Sequence, residues 1–203
     1  YKFECAGQSC NAPSRIYVHA SRHDAFVDAL AAEARRIRVG DGLDPATDMG
    51  PLATRRRLAA VERLTADALA GGARAAAGGG RVERPGWFWA PTVLTGVAES
   101  AAMVAEEPFG PVVPVWPFES FDEAMARANA SAYGLAAYVF TRSPERAEAA
   151  ARALAVGSVG VNELRGVPTD AGIAGVKDSG YGYEGGRAGV EAFLNLKLVR
   201  GTA

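Results

Sequence analysis

Cys10 is the side chain in this sequence best placed for covalent chemistry. It ends the run Gly7-Gln8-Ser9-Cys10, just before an apolar segment that opens at Ile16. A thiolate adds readily to carbonyl carbons, but an ordinary thiol is mostly protonated at neutral pH and needs N–H donors, a base or a cation nearby. Gly7 allows the close turn that would supply such neighbours. We therefore predict a nucleophile on a tight turn, although a single cysteine is equally typical of an inert, buried thiol.

A second stretch, residues 106–111 (EEPFGP), combines a carboxylate with an aromatic ring. Such a run is typical of a simple turn before a strand. It is also what a nicotinamide cofactor requires, because a carboxylate accepts hydrogen bonds from ribose hydroxyls while a ring packs on the base. The residues alone leave both interpretations open.

These two motifs and residues 175–180 (GVKDSG) occur in an order that resembles the carboxy-terminal, thiol-bearing half of the NAD(P)-dependent aldehyde dehydrogenase family. The resemblance runs from residue 1 to about Val199 and is closest to the succinate-semialdehyde dehydrogenase-like branch. It implies that Cys10 adds to an aldehyde as a thiohemiacetal, that hydride passes to NAD or NADP, and that water releases the carboxylic acid from a thioester.

The resemblance also implies roles for three other residues. Glu107 would bind the ribose and Phe109 would lie by the nicotinamide. Ile173 would line the substrate channel, where relatives usually carry an aromatic residue. Asn162 and Arg165 are substrate candidates for another reason, because they lie at and just after the carboxyl end of a predicted strand, where ligands bind in such sheets. Arg165 favours an anionic substrate if it points at the pocket, but a surface arginine is the more usual interpretation of such a residue.

Two other positions depart from the resemblance. Glu4 replaces the basic residue of succinate-semialdehyde relatives, which leaves the aldehyde open, and Cys5 replaces a frequent Asn and is predicted to be a packed neighbour of Cys10. The chain begins at Tyr1 in mid-motif, so we expect a piece of a longer polypeptide whose amino-terminal cofactor-binding domain is absent. No Gly-x-Gly-x-x-Gly follows a strand here. The 203-residue chain alone is therefore predicted to be inactive.

Apolar periodicity and capping residues predict alternating strands and helices. We expect helices from Ser21 to about Gly40, from Thr54 to Ala70 with solvated arginines at 55–57, from Ser120, and from Ser143; strands are expected at 15–19, 112–118, 136–141 and 158–162. This alternation predicts an α/β fold with an open, largely parallel sheet flanked by helices. We assign residues 1–190 to the catalytic domain and 191–203 to a C-terminal edge strand for oligomerisation.

The amino-acid composition limits the classes of binding partner that we expect. Hydrophobic residues make up 49% of the chain and charged residues 22%, and the net charge is −1 with a pI near 6.2. Nucleic acid and membranes are therefore not expected as partners. The family resemblance implies a small-molecule aldehyde as substrate, and the exposed edge strand predicts a homo-oligomer (dimer or tetramer) of the full-length enzyme. Two cysteines and two histidines indicate neither a disulfide framework nor a metal site, and reduced thiols favour the cytoplasm.

Two other functions stay open at this point. One is an inactive fragment that serves as an oligomerisation module. The other is an acylating relative that passes the acyl group to coenzyme A. The choice between NAD and NADP is open as well.

Overall fold

The computed structural model describes residues 1–164, 168 and 170–201. Its chain forms two compact units, Tyr1–Ser131 and Ala132–Ala203. The sequence predicted one catalytic domain up to residue 190, and the structure adds a boundary between Ser131 and Ala132. Both units contain helices and parallel strand pairs, and the α/β class is confirmed.

The first unit is built on a four-stranded sheet in the order β1-β4-β3-β2. β4 pairs in parallel with both β1 and β3, and β2 is an antiparallel edge. Four residues of β3 and the first five of β4 are buried, as expected for central parallel strands covered on both faces. The strands are β1 (Ile16–His19), β2 (Arg74–Ala77), β3 (Thr92–Thr95) and β4 (Val112–Phe118).

Four helices belong to this unit, and two begin where the capping residues predict. Thr54 Oγ1 accepts a hydrogen bond from the backbone N–H of Arg57 (3.1 Å), and Ser120 Oγ accepts one from Glu123 (3.2 Å). Leu58, Val61 and Leu64 place the inner face of the second helix in the core. The helices are α1 (Ala20–Arg36), α2 (Arg55–Ala70), α3 (Ala102–Ala105) and α4 (Phe121–Asn129).

The predicted bounds of α1 are wrong at both ends. His19, not Ser21, is the N-cap, because its ring nitrogen Nδ1 accepts a hydrogen bond from the backbone N–H of Ser21 (3.3 Å). The helix ends at Arg36, because Ile37 takes an extended conformation three residues before Gly40.

The second unit contains a parallel strand–helix–strand unit and a short antiparallel pair. β6 and β7 lie in parallel with α5 between them in sequence, as the alternating pattern predicts, and Ser143 caps α5. β5 pairs with β8 in antiparallel orientation. The elements are β5 (Tyr133–Gly134), β6 (Ala136–Val139), α5 (Pro144–Ala153), β7 (Ser158–Val161), β8 (Val176–Lys177) and α6 (Gly186–Glu191).

Residues 193–199 form neither helix nor strand in this single chain. Their apolar side chains are exposed, with Leu196 fully so. The predicted edge strand is therefore not formed here, and its pairing with a second copy stays a prediction. None of the helices in the described part of the chain is long and apolar enough to cross a bilayer.

Candidate active site

Cys10 lies on a tight turn, as the Gly-Gln-Ser-Cys run predicts. The backbone N–H of Ala12 donates to the carbonyl oxygen of Ser9 (3.1 Å), which closes a four-residue turn with Cys10 at its second position. The Ser9 hydroxyl donates to Asn11 Oδ1 (2.5 Å) on the same turn. The Cys10 side chain is exposed. The thiol is therefore accessible to a reagent or substrate, which an inert core cysteine would not be.

Gln8 fixes this turn to the loop that precedes α2. Its side-chain oxygen accepts a hydrogen bond from the backbone N–H of Ala53 (2.9 Å), and its amide nitrogen donates to the carbonyl of Cys5 (3.0 Å). Cys5 is itself exposed, so its prediction as a packed neighbour is wrong. The cause is a left-handed turn at Cys5 and Ala6 (φ 49° and 54°) that buries Ala6 and Gly7 instead.

The cysteine-bearing segment packs directly on the loop that carries Glu107. A Cβ added to Gly7 would lie 2.1 Å from the carbonyl oxygen of Gly110 and 3.0 Å from the nitrogen of Pro111. Gly7 also has φ +69°, a conformation that other L-residues rarely adopt. Two independent reasons thus require glycine at position 7: the backbone angle of the turn and the close approach of the two backbones.

Helix α2 holds the other side of the 106–111 loop. Arg63 forms a salt bridge with Glu106 (2.6 Å), and Arg57 donates to the carbonyl oxygen of Pro108 (3.2 Å). The Arg57 guanidinium also lies over the Phe109 ring, 5.7 Å from its centroid. Arg57 is therefore half-buried against the loop, and its prediction as a solvated residue is wrong. The prediction holds for residues 55 and 56, which are exposed.

Phe109 has a strained backbone, with φ +44°. Bulky side chains are rare in this region, and such residues are kept there by their surroundings, often at binding sites. The contact with Arg57 is one restraint on the ring. The turn thus presents an aromatic ring two residues after Glu107.

Glu107 differs from Glu106 in having no partner for its carboxylate in the described part of the chain. Among the residues that the structure describes, none forms a salt bridge or hydrogen bond with it. The carboxylate is half-buried, and burial raises the pKa of Glu107 above its ordinary value, against the opposing positive charges of Lys2, Arg15 and Arg57. Its oxygens are available to accept hydrogen bonds from a ligand, whereas those of Glu106 are occupied by Arg63.

In the second unit, Asn162 has both ends of its amide engaged. Its oxygen accepts from the backbone N–H of Thr141 (2.9 Å), and its nitrogen donates to the Thr141 carbonyl (2.9 Å). Ile173 and Glu184 exchange two backbone hydrogen bonds (2.8 and 2.9 Å). Arg165 lies outside the described residues. The substrate-binding roles of these residues stay predictions.

Three residues that shape this site were not predicted to do so. Gln8 and Arg57 have local sequence signals, since one lies inside the cysteine motif and the other in a predicted helix. Lys2 has a weaker signal, as one of only three lysines in the chain. Each of these three residues interacts with a segment that lies about 45 to 105 residues away in the sequence. Local sequence patterns cannot predict such long-range interactions.

An exposed thiol beside a loop with a free carboxylate and an aromatic ring fits an enzyme that forms a covalent adduct and binds a ligand rich in hydroxyls. In the described part of the chain, no cluster of three or more His, Cys, Asp or Glu side chains is arranged to hold a metal ion. A model of the aldehyde dehydrogenase family matches residues 1–199, and the chain belongs to this family.

The chain is similar to 4-(hydroxymethyl)benzenesulfonate dehydrogenase TsaD1 of Comamonas testosteroni, with 46% identity over 199 residues, 98% of this chain and 41% of the relative. It is 41% identical over 193 residues to succinate-semialdehyde dehydrogenase (NADP+) 1 of Mycobacterium bovis (strain BCG / Pasteur 1173P2), covering 95% of this chain and 42% of that protein. A solved NAD+ complex of aldehyde dehydrogenase from Bacillus cereus superposes with a TM-score of 0.88 at 39% identity, over 92% of this chain and 38% of that one. The chain thus spans about two fifths of the length of these relatives.

Proposed function

We propose that this chain is the thiol-bearing catalytic portion of an NAD(P)-dependent aldehyde dehydrogenase, which oxidises an aldehyde to a carboxylic acid. The observation that carries the proposal is the packing of the Cys10 segment against the Glu107 loop through Gly7 and Gly110. It joins a nucleophile and a candidate cofactor ligand within one compact unit. Family membership supports the same reaction.

The residues present fit a nicotinamide dinucleotide. A ribose diol donates two hydrogen bonds, and Glu107 has a carboxylate without a partner in the described chain to accept them. Phe109 follows on a restrained backbone and supplies an aromatic face for the nicotinamide. One relative is named for NADP+, and one similar structure is an NAD+ complex, so either cofactor is consistent with the comparisons.

In the proposed reaction, the Cys10 thiolate forms a C–S bond to the aldehyde carbon, and the carbonyl π electrons move to oxygen. The backbone N–H of Cys10 is the proposed donor to that oxyanion. NAD(P)+, which Glu107 and Phe109 would hold, would supply the two-electron acceptor needed to bring the Cys10 adduct to the thioester level. Water then cleaves the thioester, giving the acid and the free thiol.

The remaining part of the reaction is assigned to a portion of the family fold outside these residues. Because the chain spans about two fifths of its relatives, we propose that the rest of the cofactor site and the base that activates water come from that portion. The chain alone is accordingly expected to form no NAD(P)H from aldehydes.

The test is a chimera in which residues 1–199 replace the matching portion of the succinate-semialdehyde dehydrogenase relative. We expect NAD(P)H and the carboxylic acid in equal amounts without coenzyme A. Acyl-coenzyme A as the product, formed only when coenzyme A is added, would support the acylating alternative instead. A folded chimera that forms neither product would contradict the proposal, and the parent relative is the positive control.

Replacing Glu107 by Gln should raise the KM for NAD(P) about tenfold with a smaller change in kcat. A neutral amide loses the charge-assisted part of the ribose hydrogen bonds, on the order of 1–2 kcal/mol. Steady-state kinetics of the chimera with cofactor as the varied substrate measure this. Glu106→Gln is the matched control, because its carboxylate is engaged with Arg63; an equal effect of both variants would contradict the assignment.

For the substrate we propose an aldehyde that carries an anionic group. The names of both relatives above, a benzenesulfonate dehydrogenase and a succinate-semialdehyde dehydrogenase, contain such a group. Asn162, Arg165 and Ile173 remain the proposed substrate residues. A higher kcat/KM for succinate semialdehyde than for its uncharged methyl ester is expected, and the reverse order would contradict the proposal.

We also propose that residues 193–199 pair with a second copy of the chain, in a dimer or tetramer. Their exposed apolar side chains support this, since a row of such groups is costly to leave in water. The double variant Leu196→Ser/Leu198→Ser should lower the molar mass measured by light scattering toward that of one chain. Leu43→Ser is the control, because Leu43 is an equally exposed leucine outside the tail; an unchanged mass in the double variant would contradict the proposal.

A further inference from the structure

Arg57 is a charged side chain whose position the stability of its own helix does not explain. It is the third residue of α2, and the first turn of α2 contains three arginines and no acidic residue. The partial positive charge at a helix N-terminus makes cations unfavourable there. Among the residues that the structure describes, none forms a salt bridge with Arg57 that would offset this. A contact outside α2 is therefore needed to explain the arginine.

That contact is with the 106–111 loop. The Arg57 Nη1 atom donates a hydrogen bond to the carbonyl oxygen of Pro108 (3.2 Å), and the guanidinium carbon Cζ lies 5.7 Å from the centroid of the Phe109 ring. This is within the roughly 6 Å over which a cation is attracted to an aromatic face. Arg57 and Phe109 are both half-buried, which strengthens the attraction relative to an exposed pair.

The two contacts act on the strained part of the loop. Phe109 has φ +44°, a conformation that a bulky residue keeps only when its surroundings hold it there. The Pro108 carbonyl belongs to the peptide bond whose rotation about the Phe109 N–Cα bond sets this angle. Arg57 therefore restrains both the peptide that precedes Phe109 and the ring itself.

The backbone that carries Arg57 is fixed in turn. Its N–H donates to the Thr54 side chain (3.1 Å), and the preceding N–H of Ala53 donates to the side chain of Gln8 (2.9 Å). Gln8 belongs to the turn that carries Cys10. The guanidinium thus reaches Phe109 from a helix start that also supports the nucleophile.

We propose that Arg57 is a positioning residue that holds the Phe109 ring, through one ring face and the Pro108 carbonyl, in the orientation that receives the nicotinamide of NAD(P). Because the guanidinium covers one face of the ring, the nicotinamide is assigned to the other face. The nicotinamide contact rests on the proposed function, whereas the contact of Arg57 with Phe109 is a property of the chain itself.

The contact is tested on the 203-residue chain without cofactor, by NMR of the Arg57 side-chain protons, which are assigned by their loss in Arg57→Met. Protons above an aromatic face are shielded, so these signals should lie upfield of those of exposed arginines. Phe109→Leu should remove the upfield shift. Phe26→Leu is the control, because Phe26 lies in α1 and is partly exposed. Arg57 signals that do not move in a folded Phe109→Leu variant would overturn the proposal.

The consequence for the cofactor is tested in the chimera by a double-mutant cycle. Arg57→Met should raise the KM for NAD(P) about fivefold and Phe109→Leu about tenfold, and the double variant should match Phe109→Leu alone, because the arginine acts through the ring. Arg57→Lys keeps the charge but not the planar guanidinium, and should recover part of the affinity. Arg56→Met is the control in the same helical turn, since Arg56 is exposed, and should leave the KM unchanged.

A purely structural effect of Arg57 on α2 would be independent of the ring. The two single rises in KM would then multiply in the double variant, and that result would overturn the proposal. Unfolding midpoints report whether each variant folds. A wild-type chimera that oxidises no aldehyde would refute the proposed function and with it the nicotinamide contact, whereas the NMR signals of the chain would still decide whether Arg57 holds Phe109.

Discussion

Replacing Cys10 by Ser should lower kcat/KM for aldehyde oxidation by at least about a thousand-fold in the chimera. Loss of a covalent nucleophile removes the step on which the later steps depend, and such losses in other enzymes reach several orders of magnitude. The thiol is exposed, so the substitution removes little packing. We therefore expect an unfolding midpoint close to that of the wild type.

Cys5→Ser is the control for this experiment. Cys5 is the other cysteine of the chain, is also exposed and lies on the preceding turn, so it matches Cys10 in chemistry and surroundings. Its replacement should leave kcat/KM within about twofold, as for surface changes away from a site. Equal losses in the two variants, or a Cys10→Ser variant that keeps its activity, would refute the role of Cys10.

The same pair can be compared without catalysis. Alkylation of the chain by iodoacetamide, followed by peptide mass spectrometry, gives a separate rate for each thiol. We expect Cys10 to react faster than Cys5, as the proposed nucleophile should. Equal rates would favour the alternative of a non-catalytic assembly module.

The second large effect is expected for Gly7→Ala, which should destabilise the chain by about 2–4 kcal/mol. The added Cβ would lie 2.1 Å from the carbonyl oxygen of Gly110. This oxygen belongs to the backbone, so the clash can be relieved only by moving one of the two loops. The substitution also places a side chain at φ +69°. Denaturant unfolding measures the loss, and because the two loops must separate, the chimera should also lose cofactor affinity.

Gly96→Ala separates the two causes of this loss. Gly96 has nearly the same backbone angle, φ +66°, but no atom within 4 Å of an added Cβ. Its replacement should therefore cost only the conformational strain, about 1 kcal/mol. If Gly7→Ala proves no more destabilising than Gly96→Ala, the two loops do not approach each other as described.

Much of the local structure followed from short-range patterns. Thr54 and Ser120 cap their helices because a side-chain oxygen three residues before a free backbone N–H can satisfy it, whatever the rest of the fold. The alternation of strands and helices likewise predicted the parallel pairing of β6 with β7. His19 shows the limit of such patterns, because an imidazole took the cap that a serine two residues later would ordinarily provide.

Glu106 and Glu107 show what local patterns could not resolve. They are adjacent and chemically identical, and only the resemblance to a family distinguished them in the sequence. In the structure, Arg63 of α2 forms a salt bridge with Glu106, whereas no described residue forms one with Glu107. Arg57 is a similar case, since its two neighbours in the arginine run are solvated while it packs on Phe109.

The turn at Cys10 and the α/β class could be predicted from residue types and spacing, because turns, caps and apolar periodicity act over a few residues; the role of Glu107 came from the family resemblance. The approach of Gly7 to Gly110, the burial of Lys2 and the lack of a partner for Glu107 among the described residues could not be predicted. Each depends on segments about a hundred residues apart, and burial and electrostatic potential are properties of the folded chain. Tertiary packing therefore decided which of the predicted residues face one another within the first unit.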